Sequence, residues 1–189
     1  TGADVVLESF RPGVVDRLGV GYTEVKAVNP SIVYCSTTGY GQTGPRSQWA
    51  GHDLNYLATT GYLHCSGRDN RGGPTLPGAT VADSAAGGLH AVAAICAALM
   101  ARTSTGKGLH LDVSVTDGVL SLMSLAIDEH LAEGTIIGPR QGLLTGRYAF
   151  YDLYQAADGG WLAVAAIEPR FFTNLCEALH CEQWIDRQY

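Results

Sequence analysis

The chain reads as an α/β protein: a Rossmann-like large domain on a parallel sheet, followed by part of a small α+β domain. Three observations predict this. "ADVVLES" (3–9) and "SIVYCSTTG" (31–39) are apolar, β-branched runs that read as buried strands. Helical spacing fills the segment between them, and strand–helix–strand order implies a parallel pair. Beyond about residue 140 the texture changes to a hairpin and a helix.

In order along the chain, "FRPG" turns the first strand into a short helix with Pro12 near its first turn, where its missing N–H is harmless. "TEVKAVNP" (23–30) has helical spacing and ends at Asn29-Pro30. The loop "GYGQTGPRSQ" (39–48) follows the second strand, at the sheet edge where α/β proteins bind ligands. A helix is expected from Gly51 to Thr59, then a Gly/Arg/Pro-rich loop from Gly67 to Gly78. "DSAAGGLHAVAAICAALMAR" (83–102) is apolar nearly all round, hence a buried helix, and it stops at Thr105-Gly106, where glycine can take the left-handed cap. "LHLDVSV" (109–115) alternates as a strand, and 117–132 reads as one helix. After "GPRQGLLTG" (138–146) a hairpin turns at Asp158-Gly159-Gly160, and a helix starts at Pro169. The boundary is placed near 140, between an incomplete large domain (1–140) and the start of a small one (141–189).

Apolar residues make up 46% of the 189 and charged residues 16%, which supplies a core and argues against disorder. A net charge of −6 argues against a nucleic-acid partner, which selects a basic face, but leaves room for an anionic ligand held by a few local arginines. Five cysteines without a CxxC pair read as reduced thiols of a cytoplasmic protein (mitochondrial or peroxisomal in a eukaryote), with neither a disulfide frame nor a metal site. No signal peptide is visible, and the longest apolar run, Ala91–Ala101, is too short to span a bilayer. The opening strand with no Met before it, and the end just after "CEQWIDRQY", read as an internal piece of a longer polypeptide.

Four polar features stand out against apolar surroundings. They are His52-Asp53 at a helix start, Asp83 before the long apolar helix, Glu168 ahead of Pro169, and Arg11 with Arg17 after the first strand. Each has an ordinary structural explanation. Asp83 suits an N-cap, and Asp53 suits a first helical turn by charge–dipole attraction. Glu168 is a plain helix-start carboxylate, a single histidine at a helix start is commonly structural, and Arg11 beside Pro12-Gly13 suits a solvated turn. His64, His90, His110, His130 and His180 show no partner pattern and read as structural or surface groups. Together, though, the features allow more. A carboxylate at a helix N-terminus lies near N–H groups able to hold a developing oxyanion. Gly87-Gly88 just inside that helix let a ligand or another backbone come close. An imidazole with a carboxylate partner is a base suited to neutral pH. These parts suit proton transfer beside a thioester or carbonyl.

On "VVLESFRPGVVDRLGVGY" (5–22), "TGYGQTGPRSQWAGHDLNY" (38–56), "ADSAAGG" (82–88), "STGKGLHLDVSVTDG" (104–118) and "LAVAAIEPRFF" (162–172), the chain resembles the family III CoA-transferases (the CaiB/BaiF superfamily), and within them the α-methylacyl-CoA racemases. The resemblance covers nearly the whole chain and implies an interlocked homodimer. Each active site would then lie between the large domain of one subunit and the small domain of the other. In the transferases the aspartate matching Asp83 attacks the acyl-CoA thioester; in the racemases it is an acid/base. The racemases also carry motifs matched by Gly51-His52-Asp53 and Ile167-Glu168-Pro169, and the transferases' small-domain glycine-rich loop is not visible. The resemblance therefore implies racemisation of 2-methylacyl-CoA thioesters, with CoA transfer or an inactive acyl-CoA-binding relative as alternatives. His52 and Asp83 would serve the two faces of the α-carbon, with Glu168 holding His52. Arg11 and Arg17 would contact the CoA phosphates, where a guanidinium fork suits a phosphate. Gly39, Tyr40 and Gly41 would line the CoA channel. CoA is then part of the substrate, and no separate cofactor is implied.

Overall fold

The computed structural model describes residues 2–189, which divide into two compact units: residues 2–63 with 76–127, and residues 64–75 with 128–189. Residues 64–75 and 128–140, both read above with the large domain, fall in the second unit.

The first unit is a parallel three-stranded sheet with helices. Strands β1 (Val5–Glu8), β2 (Val33–Thr38) and β3 (His110–Ser114) lie in that order, with Val5 opposite Val33 and Cys35 opposite Leu111. Between β1 and β2 run α1 (Val14–Arg17) and α2 (Tyr22–Val28), as the spacing predicts. The central strand is the most deeply buried: Val33, Tyr34 and Cys35 are all but inaccessible. β1 departs from expectation, because its Leu7 is largely exposed.

After β2 come α3 (Asp53–Thr59) and the short turn α4 (Tyr62–Cys65). The long apolar helix differs from its sequence reading in three ways. It starts at Val81 rather than Asp83, its first nine residues (Val81–Leu89) are π-helical, and only then does it become α5 (His90–Thr105). Thr80, not Asp83, is the N-cap residue, because Ser84 N–H reaches back to the Thr80 carbonyl at 2.9 Å. Nor is the helix buried all round. Ala91, Ala94 and Ile95 pack on Cys35, Leu111 and Val113, while Leu89, Val92 and Met100 are exposed. By length and composition the continuous 25-residue stretch Val81–Thr105 is apolar enough to cross a membrane, which the shorter run Ala91–Ala101 had not suggested; here one side of it lies on the sheet. Gly106 closes it at φ 67°, the left-handed cap expected of glycine.

The single helix expected over 117–132 is two, α6 (Val115–Leu122) and α7 (Ser124–Glu133). At Met123 the backbone leaves helical geometry (ψ 15°), and its N–H is shared between the carbonyls of Val119 and Leu120. α6 packs closely on the π-helical segment: a Cβ added to Gly118 would overlap the Ala86 carbonyl, and one added to Gly87 would lie 3.0 Å from Val115 Cγ2. Gly87 thus lets a neighbouring helix approach, one of the two uses foreseen for the glycine pair.

The second unit holds the hairpin of β4 (Tyr151–Gln155) and β5 (Trp161–Ala165), antiparallel with Tyr151 opposite Ala165, and α8 (Pro169–Ala178). Gly159 turns the hairpin at φ 86°, and Gly160 N–H donates to Asp158 Oδ1 at 2.9 Å. Phe150, Ala166, Phe172 and Cys176 form its core.

Candidate active site

The C-terminal ends of β1 and β2 open onto a cleft of about 570 Å³ in the first unit. Ser9–Pro12, following β1, and Thr37–Tyr40, ending β2, line it together with residues 49–52 and Asn55, Tyr56, Asp83 and Val115. This is where a parallel α/β sheet leaves room for a ligand, since the strand ends and the loops after them diverge there. Five of the residues singled out in the sequence meet here: Arg11, Gly39, Tyr40, His52 and Asp83. Arg17 and Gly41 are not among the lining residues. Arg17 ends α1, exposed, with its guanidinium near Gly13. Gly41 takes φ 80°, and the chain beyond it lets Gln42 N–H reach both carboxylate oxygens of Asp112 at 3.1 and 3.0 Å.

His52 stands at the N-cap of α3 in extended conformation (φ −134°, ψ 177°). Its N–H donates to Asn55 Oδ1 at 3.0 Å, and its carbonyl accepts Asn55 N–H at 2.8 Å, so the residue is tied to the first turn by its backbone. Gly51, just before it, accepts the Tyr56 hydroxyl at 2.7 Å. Across the cleft floor, Gly39 is held by α6: its carbonyl accepts both Thr116 Oγ1 (2.6 Å) and Thr116 N–H (3.0 Å). Tyr56 packs edge-on against Tyr40 at 5.2 Å between centroids, and Tyr40 does the same with Trp49 at 5.9 Å. These three rings give the cleft a rigid aromatic wall.

Asp53 is buried at the first position of α3, and its carboxylate turns away from its own helix. Oδ1 accepts the backbone N–H of Asp83 at 3.0 Å, thirty residues along the chain. The first-turn N–H groups at Asp83 and Ser84 are therefore committed, to Asp53 and to Thr80, and do not serve as the oxyanion donors the sequence suggested. Burial, and then the Asp53 carboxylate, push the Asp83 carboxyl above the ordinary carboxylate range, while His52 pulls it down. Because Asp83 is open to solvent through the cleft, water screens these effects. Burial and the nearby Asp83 charge raise the Tyr56 phenol in turn.

Glu168 lies in the second unit, as the N-cap residue of α8. Its carbonyl accepts the N–H groups of Phe171 and Phe172 at 2.9 and 3.0 Å, but its exposed carboxylate makes no capping bond. Sequence reasoning missed Tyr56, although its position four residues after His52, one helical turn on, was a usable signal. It also missed Thr38, whose buried Oγ1 has no hydrogen-bond partner among the described residues and which lines the cleft; nothing in its sequence surroundings marks it.

Residues 1–189 match the family model described as CoA-transferase family III. The chain is 40% identical over 181 residues to the alpha-methylacyl-CoA racemase of Mus musculus, covering 95% of this chain and 47% of the relative. It is also 36% identical over 187 residues to the succinyl-CoA:glutarate CoA-transferase of Homo sapiens, covering 97% of this chain and 41% of the relative. The crystal structure of a CAIB/BAIF family protein from Brucella suis superposes with a TM-score of 0.79 at 33% identity, over 98% of this chain and 48% of that one. The chain thus spans about half the length of the curated relatives it matches.

Proposed function

The chain belongs to CoA-transferase family III, and from that premise we propose that the protein of which it is part racemises 2-methylacyl-CoA thioesters by proton transfer at the α-carbon. The relatives include both a racemase and CoA-transferases, so the family alone leaves two chemistries. What favours racemisation is that His52 and Asp83 line one cleft. A transferase needs the carboxylate as nucleophile; inversion at a carbon bearing a proton needs two groups that exchange protons with it.

In this scheme His52 removes the α-proton, the C–H electron pair moves into the thioester to give an enolate, and Asp83, protonated, returns a proton to the other face. The reverse direction starts from protonated His52 and ionised Asp83. The pair must hold one proton between them, and the burial and neighbouring charge that raise the Asp83 carboxyl bring its affinity closer to that of an imidazole. Arg11 supplies a fork of donors for the CoA phosphates, and Gly39 and Tyr40 line the channel. In the interlocked homodimer implied by the resemblance, Glu168 of the partner subunit would hold the His52 imidazole.

The test is exchange in D₂O with the full-length enzyme. Deuterium should enter the α-carbon of either enantiomer, with loss of configuration. His52→Ala and Asp83→Asn should suppress exchange from opposite enantiomers. Acyl capture by hydroxylamine at Asp83, with CoA passing to a free acid and no α-deuterium, would replace this reading with the transferase one.

A further inference from the structure

The scheme above uses His52 and Asp83 and leaves a buried carboxylate beside them without a role. Asp53 is 9% exposed, which is costly for a carboxylate unless its charge is engaged. A carboxylate at the first turn of a helix ordinarily serves its own N–H groups, as the sequence suggested. Here it reaches away from its own helix: Oδ1 accepts the Asp83 N–H at 3.0 Å. That N–H lies in the first turn of the π-helical segment, where no preceding carbonyl has to be spared for it, and Asp53 caps it from outside the helix.

We infer that Asp53 is a positioning residue for Asp83: its carboxylate holds the Asp83 backbone from a neighbouring helix and sets a negative charge beside the Asp83 carboxyl. The inference rests on the racemase reading for its catalytic meaning, but the physical link does not. Three observations converge on it. The bond joins α3 to the π-helical segment, so the two groups of the cleft are tied together: His52 immediately precedes Asp53, and the Asp53 carboxylate holds Asp83. The two elements also share a core, where Tyr56 and Leu57 of α3 pack with Ala82 and Ala86. And the ionisable groups acting on Asp83 are few. Asp53 raises it and His52 lowers it; the Asp83 charge is felt by the Tyr56 phenol, and Arg11 and Tyr40 line the same cleft.

Asp53→Asn separates the two roles, since the amide oxygen still accepts the Asp83 N–H while the charge is gone. In the full-length protein labelled with [4-¹³C]aspartate, the Asp83 resonance, assigned by its loss in Asp83→Asn, should titrate at lower pH in Asp53→Asn than in wild type. The acid limb of kcat/KM should move the same way, because the limbs report the free enzyme's groups. An unmoved Asp83 titration in folded Asp53→Asn overturns the inference. Should that variant not fold, Asp53→Glu decides: it keeps the charge but displaces the acceptor, so kcat should fall while the titration stays raised, and an unchanged kcat overturns the inference. The titration does not depend on which reaction is catalysed. Absence of α-deuterium incorporation by wild type would instead sink the racemase reading and leave the Asp53–Asp83 link standing or falling on its own measurement.

Discussion

The hydroxyl of Tyr56 donates to the carbonyl of Gly51 at 2.7 Å, and its ring lies directly over Gly39 as well. One side chain thereby meets two glycines of the cleft lining, one following β2 and one preceding α3. A Cβ added to Gly39 would overlap the ring, and one added to Gly51 would come within 2.6 Å of its Cε1. Gly39→Ala should therefore destabilise the full-length protein by about 1–3 kcal/mol, as overpacking does, measurable by urea unfolding. Tyr56→Phe keeps the ring and loses only the hydrogen bond, at about 0.5–1.5 kcal/mol. A larger loss in the second variant than in the first would show that the ring contact has been misread.

Asp83 gives a prediction about pH and stability. Its carboxyl is raised in the folded state, so between the unfolded value of about 3.9 and the folded one the native protein binds more protons than the unfolded chain. Stability attributable to this group is therefore present at low pH and lost as pH rises through the folded value. Asp83→Asn removes the ionisation, so the variant should be more stable than wild type at neutral pH. That advantage should vanish below about pH 4. Thermal unfolding at several pH values measures it, and a variant less stable than wild type at pH 7 would contradict the sign.

Arg11 lines the cleft and Arg17 does not, which separates two residues the sequence treats alike. A charge-assisted hydrogen bond to phosphate contributes about 1.5–3 kcal/mol, so Arg11→Ala should raise KM for an acyl-CoA about tenfold or more with kcat little changed. The effect of Arg17→Ala should be smaller. Steady-state kinetics on the full-length variants distinguish them, and a fall in kcat at constant KM for Arg11→Ala would give that residue a part in the chemistry.

Gly118 carries α6 against the π-helical segment that bears Asp83, and any side chain there would meet the Ala86 carbonyl. Gly118→Ala should cost about 1–3 kcal/mol by forcing the two helices apart. Because Asp83 rides on the displaced segment, exchange activity should fall in the fraction that remains folded. Activity per folded molecule equal to wild type would show that the segment yields without moving Asp83.

The order of the strands and of the main helices, the two glycine turns at Gly106 and Gly159, and an opening at the C-terminal ends of the strands were legible in the sequence. These follow from local chemistry: β-branched runs, positive φ at glycine, and the geometry of a parallel sheet. Arg11, His52 and Asp83 could be singled out by type and position, and the cleft brings them together. Other features were not local. The π-helical segment from Val81 lies where α6 packs closely on it, and periodicity within one helix carries no trace of the helix beside it. The exposed side of α5 was misjudged for a related reason, since an apolar stripe says that a face can be buried and not what lies against it. Asp53 is the clearest instance. By sequence it was a carboxylate in the first turn of its own helix, a role satisfied within four residues. Only the folded chain brings Asp83, thirty residues on, within 3.0 Å, and a hydrogen bond between groups so far apart in sequence exists only once the core of Tyr56, Leu57, Ala82 and Ala86 has packed.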